Sequence, residues 1–267
     1  MIISEFPCND SFLASFITDF TIIEFNETPE DEISKVPPLG FPVLQFHFGI
    51  ESNFYLDHGF RDKAILIGQF TRHVNLRPIE GTKIISANFK PYGLFNLLGL
   101  SPETLTDTAV DSSDVFGIEE INAFLKVLKT VSNNKKRLEA IKEFIKTESR
   151  KFKQRRNCIY DELVDKIIEK NGLLTVESLI QGKIKLRNLE RYFKKHIGIP
   201  PKIFMDVLRH KFVLSQMYLK PEFQWSDPSL DGFYYDQSHF NRDFQKFSLE
   251  KPLEYNQNPH LFAKILM

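Results

Sequence analysis

Arg187, Glu190 and Arg191 fall within one turn of a stretch with helical spacing, Leu186 to His196 (LRNLERYFKKH), so all three reach one small patch of surface. Guanidinium forks donate paired hydrogen bonds to guanine, and Glu accepts one from the cytosine amino group. Such a triplet suits the reading of base edges in a major groove, and Asn188 shares its turn. Lys185, Lys194 and Lys195 flank it as point charges that suit phosphates, where they add affinity without sequence information. A second group, Gln237, Ser238, His239 and Arg242, opens another amphipathic stretch, Gln237 to Phe247 (QSHFNRDFQKF). Each group has a plainer reading. Lys and Arg also solubilise ordinary surface helices, and His239 would serve equally as a structural histidine.

Elements must position these groups. Thr175 starts Thr175 to Ile180 (TVESLI) with a side chain able to cap free first-turn amides, and Gln181-Gly182-Lys183 breaks it. Behind the first group, Leu186, Leu189, Phe193 and Ile197 recur at spacings of three and four, a single buried stripe. Gly198 stops that helix and Pro200-Pro201 opens the next. This next helix reads from Pro201 to about Leu219, with Ile203, Phe204, Val207, Leu208, Phe212 and Leu219 apolar. Its ~19 residues span ~28 Å, and successive major grooves lie ~34 Å apart, so it is a strut of suitable length. Trp225 to Gly232 is a weaker helix signal, Asp236 an N-cap, and Phe240, Phe244 and Phe247 a buried face for the second group.

The 267 residues suffice for two domains, and 42% hydrophobic content with 26 Phe fills real cores. A net charge of zero conceals an imbalance. Residues 1–150 hold 15 Lys and Arg against 21 Asp and Glu, and the remainder holds 20 against 14. The run Arg150 to Arg156 (RKFKQRR) reads as a solvated face or a DNA-contacting arm and marks the boundary, dividing the chain into 1–152 and 153–267. The first ~110 residues read as strands, among them Phe41 to Ile50, Ala64 to Thr71 and Lys83 to Lys90, followed by helices near Leu94, Ile118–Thr130 and Arg137–Phe152. The expected fold class is α+β: an antiparallel sandwich or barrel-like domain with helices, then an all-α domain with two helix-turn-helix units. No run approaches a membrane span, and no basic region precedes an apolar run in MIISEFPCNDSF, so a secretory signal is not expected. Cys8 and Cys158 have no metal or redox spacing, so free thiols in a cytoplasmic protein are expected.

Two stretches, Leu189 to Lys195 with Gly198-Ile199-Pro200-Pro201, and Tyr234 to Phe240 with Arg242-Asp243-Phe244, resemble the AraC/XylS family of bacterial transcription regulators. The likeness covers about 85–95 residues and implies two helix-turn-helix units on adjacent major grooves of double-stranded DNA, joined by the long helix. It implies base contacts from Arg187, Glu190 and Arg191 and from Gln237, Ser238, His239 and Arg242, with RNA polymerase as a further partner. Three departures stand out: Lys185 where a small hydroxyl cap is usual, Pro228 inside the supporting helix of the second unit, and Phe233 at its turn glycine. Pro is tolerated in a first helical turn, so that supporting helix should start near Pro228. Less specifically, Leu66 to Gln69, Phe89 to Gly93 and the loop Asp107 to Gly117 resemble a sensor-like domain of unknown ligand. In related regulators that position binds a small-molecule effector or dimerises.

Two other function classes compete. His47, His58 and His73 would supply imidazoles to a cupin-like metal site or enzyme, although their spacing matches no ligand pattern. A degenerate interaction module that has lost DNA binding would explain Lys185, Pro228 and Phe233. No Gly-rich phosphate loop, nucleophile elbow or carboxylate pair appears, so neither a cofactor nor an enzymatic activity is expected.

Overall fold

The computed structural model describes residues 1–26, 34–48, 54–56, 59–61, 64–76, 79–154, 158–180, 182, 184–220 and 222–257. Strands are β1 (Ile2–Pro7), β2 (Ile17–Glu24), β3 (Ser34–Val36), β4 (Val43–Phe48), β5 (Phe54–Leu56), β6 (Gly59–Arg61), β7 (Ala64–Ile67), β8 (Val74–Leu76), β9 (Lys83–Phe89) and β10 (Ala109–Asp111). Helices are α1 (Gly93–Leu98), α2 (Ser113–Phe116), α3 (Ile118–Thr130), α4 (Asn134–Ser149), α5 (Cys158–Glu169), α6 (Val176–Leu179), α7 (Leu186–Tyr192), α8 (Pro201–Leu219), α9 (Gln237–Ser248) and α10 (Pro252–Gln257). This is an α+β fold.

Six strands form one antiparallel sheet in the order β1-β2-β9-β4-β7-β10, and β3-β8 and β5-β6 form two small ladders. Period-two alternation sorts the sheet's side chains onto two faces. Phe20, Ile22, Leu44, Phe46, Leu66, Ile85 and Phe89 pack beneath α1, α3 and α4. Ile23, Ile65 and Ile84 face the other way, toward Val74 and Leu76 of β8. Along the inner strands β4, β7 and β9 both faces are covered and the side chains are mostly apolar, which weakens the alternation visible in the sequence, whereas edge strand β1 is largely exposed. Sequence patterning locates β4, β7, β9 and α3 closely but misses β1 and β2, whose Ile-, Phe- and Thr-rich runs are the available signal.

Helix α5 also escapes that reading. Tyr160, Leu163, Val164 and Ile167 supply its inner stripe, and Val164 and Ile167 are fully buried. Residues 150–157, where the charge run lies, separate α4 from α5; Arg155 and Arg156 fall outside the described residues. The long helix runs Pro201–Leu219 as expected, with Pro201 in its first turn. Leu219, expected on its apolar face, is 61% exposed, because the buried stripe continues through Val213, Leu214 and Met217 and leaves the last residue beyond the core.

Candidate nucleic-acid interface

In the first unit α6 is a single turn whose Thr175 hydroxyl accepts from the Ser178 amide. Lys185 occupies the N-cap of α7 without a side-chain bond, as its missing hydroxyl requires. Leu189, Phe193 and Ile197 are buried, but Leu186 is 43% exposed because it opens the helix beyond the packed stripe. Tyr192 takes its place in the interior, donating its hydroxyl to Asp161 of α5. Burial against that carboxylate raises the Tyr192 pKa far above its ordinary value. The sequence pattern extends α7 to His196; instead Phe193–Ile197 forms a π turn, which Gly198 closes with φ +96 and an amide N–H that donates to the Phe193 carbonyl.

Arg187, Glu190, Arg191, Lys185, Lys194 and Lys195 are exposed, and Asn188 is half-buried, accepting a 3.3 Å bond from Arg191 Nη2. The two lysines already have neighbours in the N-terminal half. Lys194 pairs with Glu103 at 3.0 Å, and Lys195 lies over the Phe95 ring at 5.5 Å. Around them, Thr106 donates to the Gly198 carbonyl at 2.9 Å, and Asn96 donates to Asp161 at 3.1 Å and faces His196 Nδ1 at 3.3 Å. Tyr92 donates to Asp165 at 3.0 Å. Sequence spacing gave no sign of this junction, since its partners lie 65 to 100 positions apart.

In the second unit the supporting element shrinks to a 3-10 turn, Pro228–Leu230, with the Asp227 side chain accepting from the Ser229 amide. Pro228 does sit in its first turn, and Gly232 at φ +79 follows closely. The Asp236 carboxylate accepts from the His239 amide at 2.7 Å and caps α9 as expected. Gln237, Ser238 and Arg242 are exposed; Arg242 Nε donates to the Ser238 carbonyl at 3.3 Å. His239 is half-buried, its ring edge-on to Tyr234. Behind them Phe240, Phe244 and Phe247 are buried.

Charge fixes α9 to the strut. Arg209 of α8 bonds Asp206 at 2.7 Å and Asp243 of α9 at 3.0 Å, and Lys246 reaches Asp206 at 3.3 Å. Beside them His210 is buried, facing the Ser248 hydroxyl at 3.1 Å, and burial lowers its pKa to about 3. At the other end of the strut, Phe204 meets Phe193 edge-to-face at 5.7 Å. Both helices thus rest on α8, with Arg187 and Arg191 of α7 and Gln237, Ser238 and Arg242 of α9 exposed.

Two further features concern the sheet. His47 is buried on β4 and desolvation lowers its pKa to about 4; His73 is half-buried and His58 lies outside the described residues. No group of three metal-ligating side chains occurs among the described residues. Between the sheet and the β3-β8 ladder lies a cavity of about 90 Å³ lined by Ile23, Phe41, Ile67, Phe70, Val74 and Ile84, with Thr21, Gln45, Ser86 and Asn88 among its polar residues. Asn88 Nδ2 donates to Asp19 at 2.6 Å and Thr21 at 2.8 Å. No helix among the described residues is long and apolar enough to cross a membrane.

Residues 7–111 match a family described as a domain of unknown function (DUF6597). No curated protein matches the chain. Solved structures with a similar trace include an apo lysine-to-alanine variant of ToxT from Vibrio cholerae strain SCE256, with 10% identity, 89% of this chain and 97% of that chain covered, and a TM-score of 0.46. ToxT from Vibrio cholerae O395 gives 11% identity, 91% and 98% coverage, and a TM-score of 0.44.

Proposed function

We propose that the chain is a sequence-specific DNA-binding transcription regulator of the AraC/XylS type, with residues 153–267 reading two adjacent major-groove segments and residues 1–152 carrying a sensor-like domain. One observation carries this reading. Two helices, α7 and α9, present exposed Arg, Lys, Gln and Ser side chains while a continuous 19-residue strut backs both. Arg187, Glu190 and Arg191 serve as base readers in the first unit, and Gln237, Ser238, His239 and Arg242 in the second. Lys185, Lys194 and Lys195 neutralise phosphates, and Asn188 steadies Arg191. Such a regulator acts with RNA polymerase in the cytoplasm and needs no cofactor or catalysis; the sheet domain is the place for an effector or a second copy.

The test is selection of genomic fragments by the purified full-length protein, followed by affinity measurement on the recovered site. A shared operator with two half-elements about one duplex turn apart is the expected result. Recovery of no common sequence sinks the proposal. The one-turn support of α9 and the engagement of Lys194 by Glu103 favour a second reading, an interaction module without DNA binding. Retention of cell proteins but not of DNA by the immobilised chain would select it.

A further inference from the structure

The cavity between the sheet and the β3-β8 ladder has an unusual wall. Residues 36–43 run from β3 into β4, and Val36, Leu39, Phe41 and Val43 line the cavity. The same segment also bears on the strut. Gly40, at φ +82, lies so flat on α8 that a Cβ there would come within 2.9 Å of Leu208 Cδ2. Leu39 packs against the cluster containing Val213, Leu214 and Met217, and Lys211 lies over the Phe41 ring at 5.2 Å. The Gly40 carbonyl is fixed from the sheet side by Gln69, whose amide donates to it at 3.1 Å. One short segment is thus both the wall of a cavity and the seat of the helix that backs both cationic helices.

The lining also restricts what fits. Among the described residues no Lys, Arg, His, Asp or Glu lines the cavity, so a charged group inside would lose hydration without a compensating partner from them. Thr21, Gln45, Ser86 and Asn88 offer uncharged hydrogen-bonding groups on an otherwise apolar floor. We infer that this cavity binds a small, uncharged, mainly apolar molecule, and that residues 36–43 transmit its occupancy to α8. This deepens the effector role proposed above and rests on it for its biological meaning, although the binding and the coupling stand by themselves. An occupant that displaces Leu39 and Phe41 outward moves the surface on which Leu208 and Lys211 rest. Packed contacts of this kind repack between discrete arrangements rather than stretch.

Benzene and benzoate, at matched concentrations, probe the full-length protein without DNA, with amide hydrogen exchange as the readout. Benzene is expected to change exchange both in β4 and β9 and at residues 207–213 of α8, the latter by about fivefold or more. Benzoate should change neither. Phe41→Ala should keep the response of the strands and lose that of α8, and Ser86→Leu, which fills the cavity, should lose both. If Ser86→Leu fails to fold, benzene against benzoate on the unaltered protein still decides. An α8 pattern unmoved by benzene overturns the coupling, and equal responses to benzoate or none to either overturn the ligand class. Failure to bind DNA would remove the regulator while leaving these outcomes as they stand.

Discussion

Arg191 and Arg242 are exposed at comparable places on their helices, yet each makes a different local bond. Arg191 leans on the Asn188 carboxamide and Arg242 folds back to the Ser238 carbonyl. Both bonds are long and exposed, so either guanidinium exchanges them for a base edge at little cost. Arg191→Ala and Arg242→Ala should each lose ~1–3 kcal/mol on the specific site and much less on random DNA. Equal losses on both, in titrations at fixed salt, would refute base reading. Lys194 behaves differently, because Glu103 already neutralises it. An exposed pair of this kind is worth ~1 kcal/mol or less, so Glu103→Gln should tighten random-sequence binding slightly and Lys194→Ala should weaken it.

The buried histidines make a further residue-scale prediction. Desolvation holds His47 near 4 and His210 near 3, against an ordinary value of 6.5. Unfolded, both bind a proton below about pH 6.5; folded, they resist until several tenfold increases in acidity later. Stability from these groups is therefore complete above that value and declines as pH falls toward 4 and 3. Between pH 7 and 5 each should cost ~2 kcal/mol. Urea midpoints for the parent and for His210→Asn at both values check this: the variant, though less stable at pH 7, should lose less on acidification.

At the scale of the element, α9 depends on its start. Asp236 supplies the one side-chain cap of that helix, and Asp236→Ala should cost ~1 kcal/mol, read as a lower thermal midpoint. The loss should carry over to DNA affinity, since Gln237 and Ser238 sit in the first turn that frays. Helix α7 has no such cap, because Lys185 stands at its N-cap, and its stability comes from Leu189, Tyr192 and Phe193 inside the core. Tyr192→Phe keeps that packing but removes one donor from buried Asp161, which also accepts from Asn96, so a loss of ~1–3 kcal/mol is expected. Gly198→Ala should be worse tolerated: its φ is +96, and a Cβ would stand 2.8 Å from the Pro102 carbonyl oxygen.

Over the whole molecule, the acidic and basic halves meet at α1, the turn Pro102–Leu105, α5 and the π turn. The first cationic helix is therefore anchored on the N-terminal half at its C-terminal end, while the second is anchored on the strut through Arg209. If both engage phosphates, binding falls linearly in log affinity against log salt, and Lys194→Ala lowers that slope by about one. A salt-independent affinity would contradict the phosphate roles.

Period and punctuation made part of this readable in the chain itself. Apolar residues three and four apart fixed the inner faces of α7, α8 and α9, and Asp236, Gly198 and Pro201 marked ends, because capping and helix closure are decided within a few residues. Those rules are local, so they put Arg187, Arg191 and Arg242 on outer faces without any knowledge of the fold. Partners far apart in sequence were decided elsewhere. Glu103 beside Lys194, Asn96 between Asp161 and His196, Tyr192 turned inward in place of Leu186, and the segment 36–43 between cavity and strut all depend on which surfaces meet when the halves close. Burial and charge pairing across such distances leave no periodic trace, since their free energy exists only once the packed surfaces have excluded water.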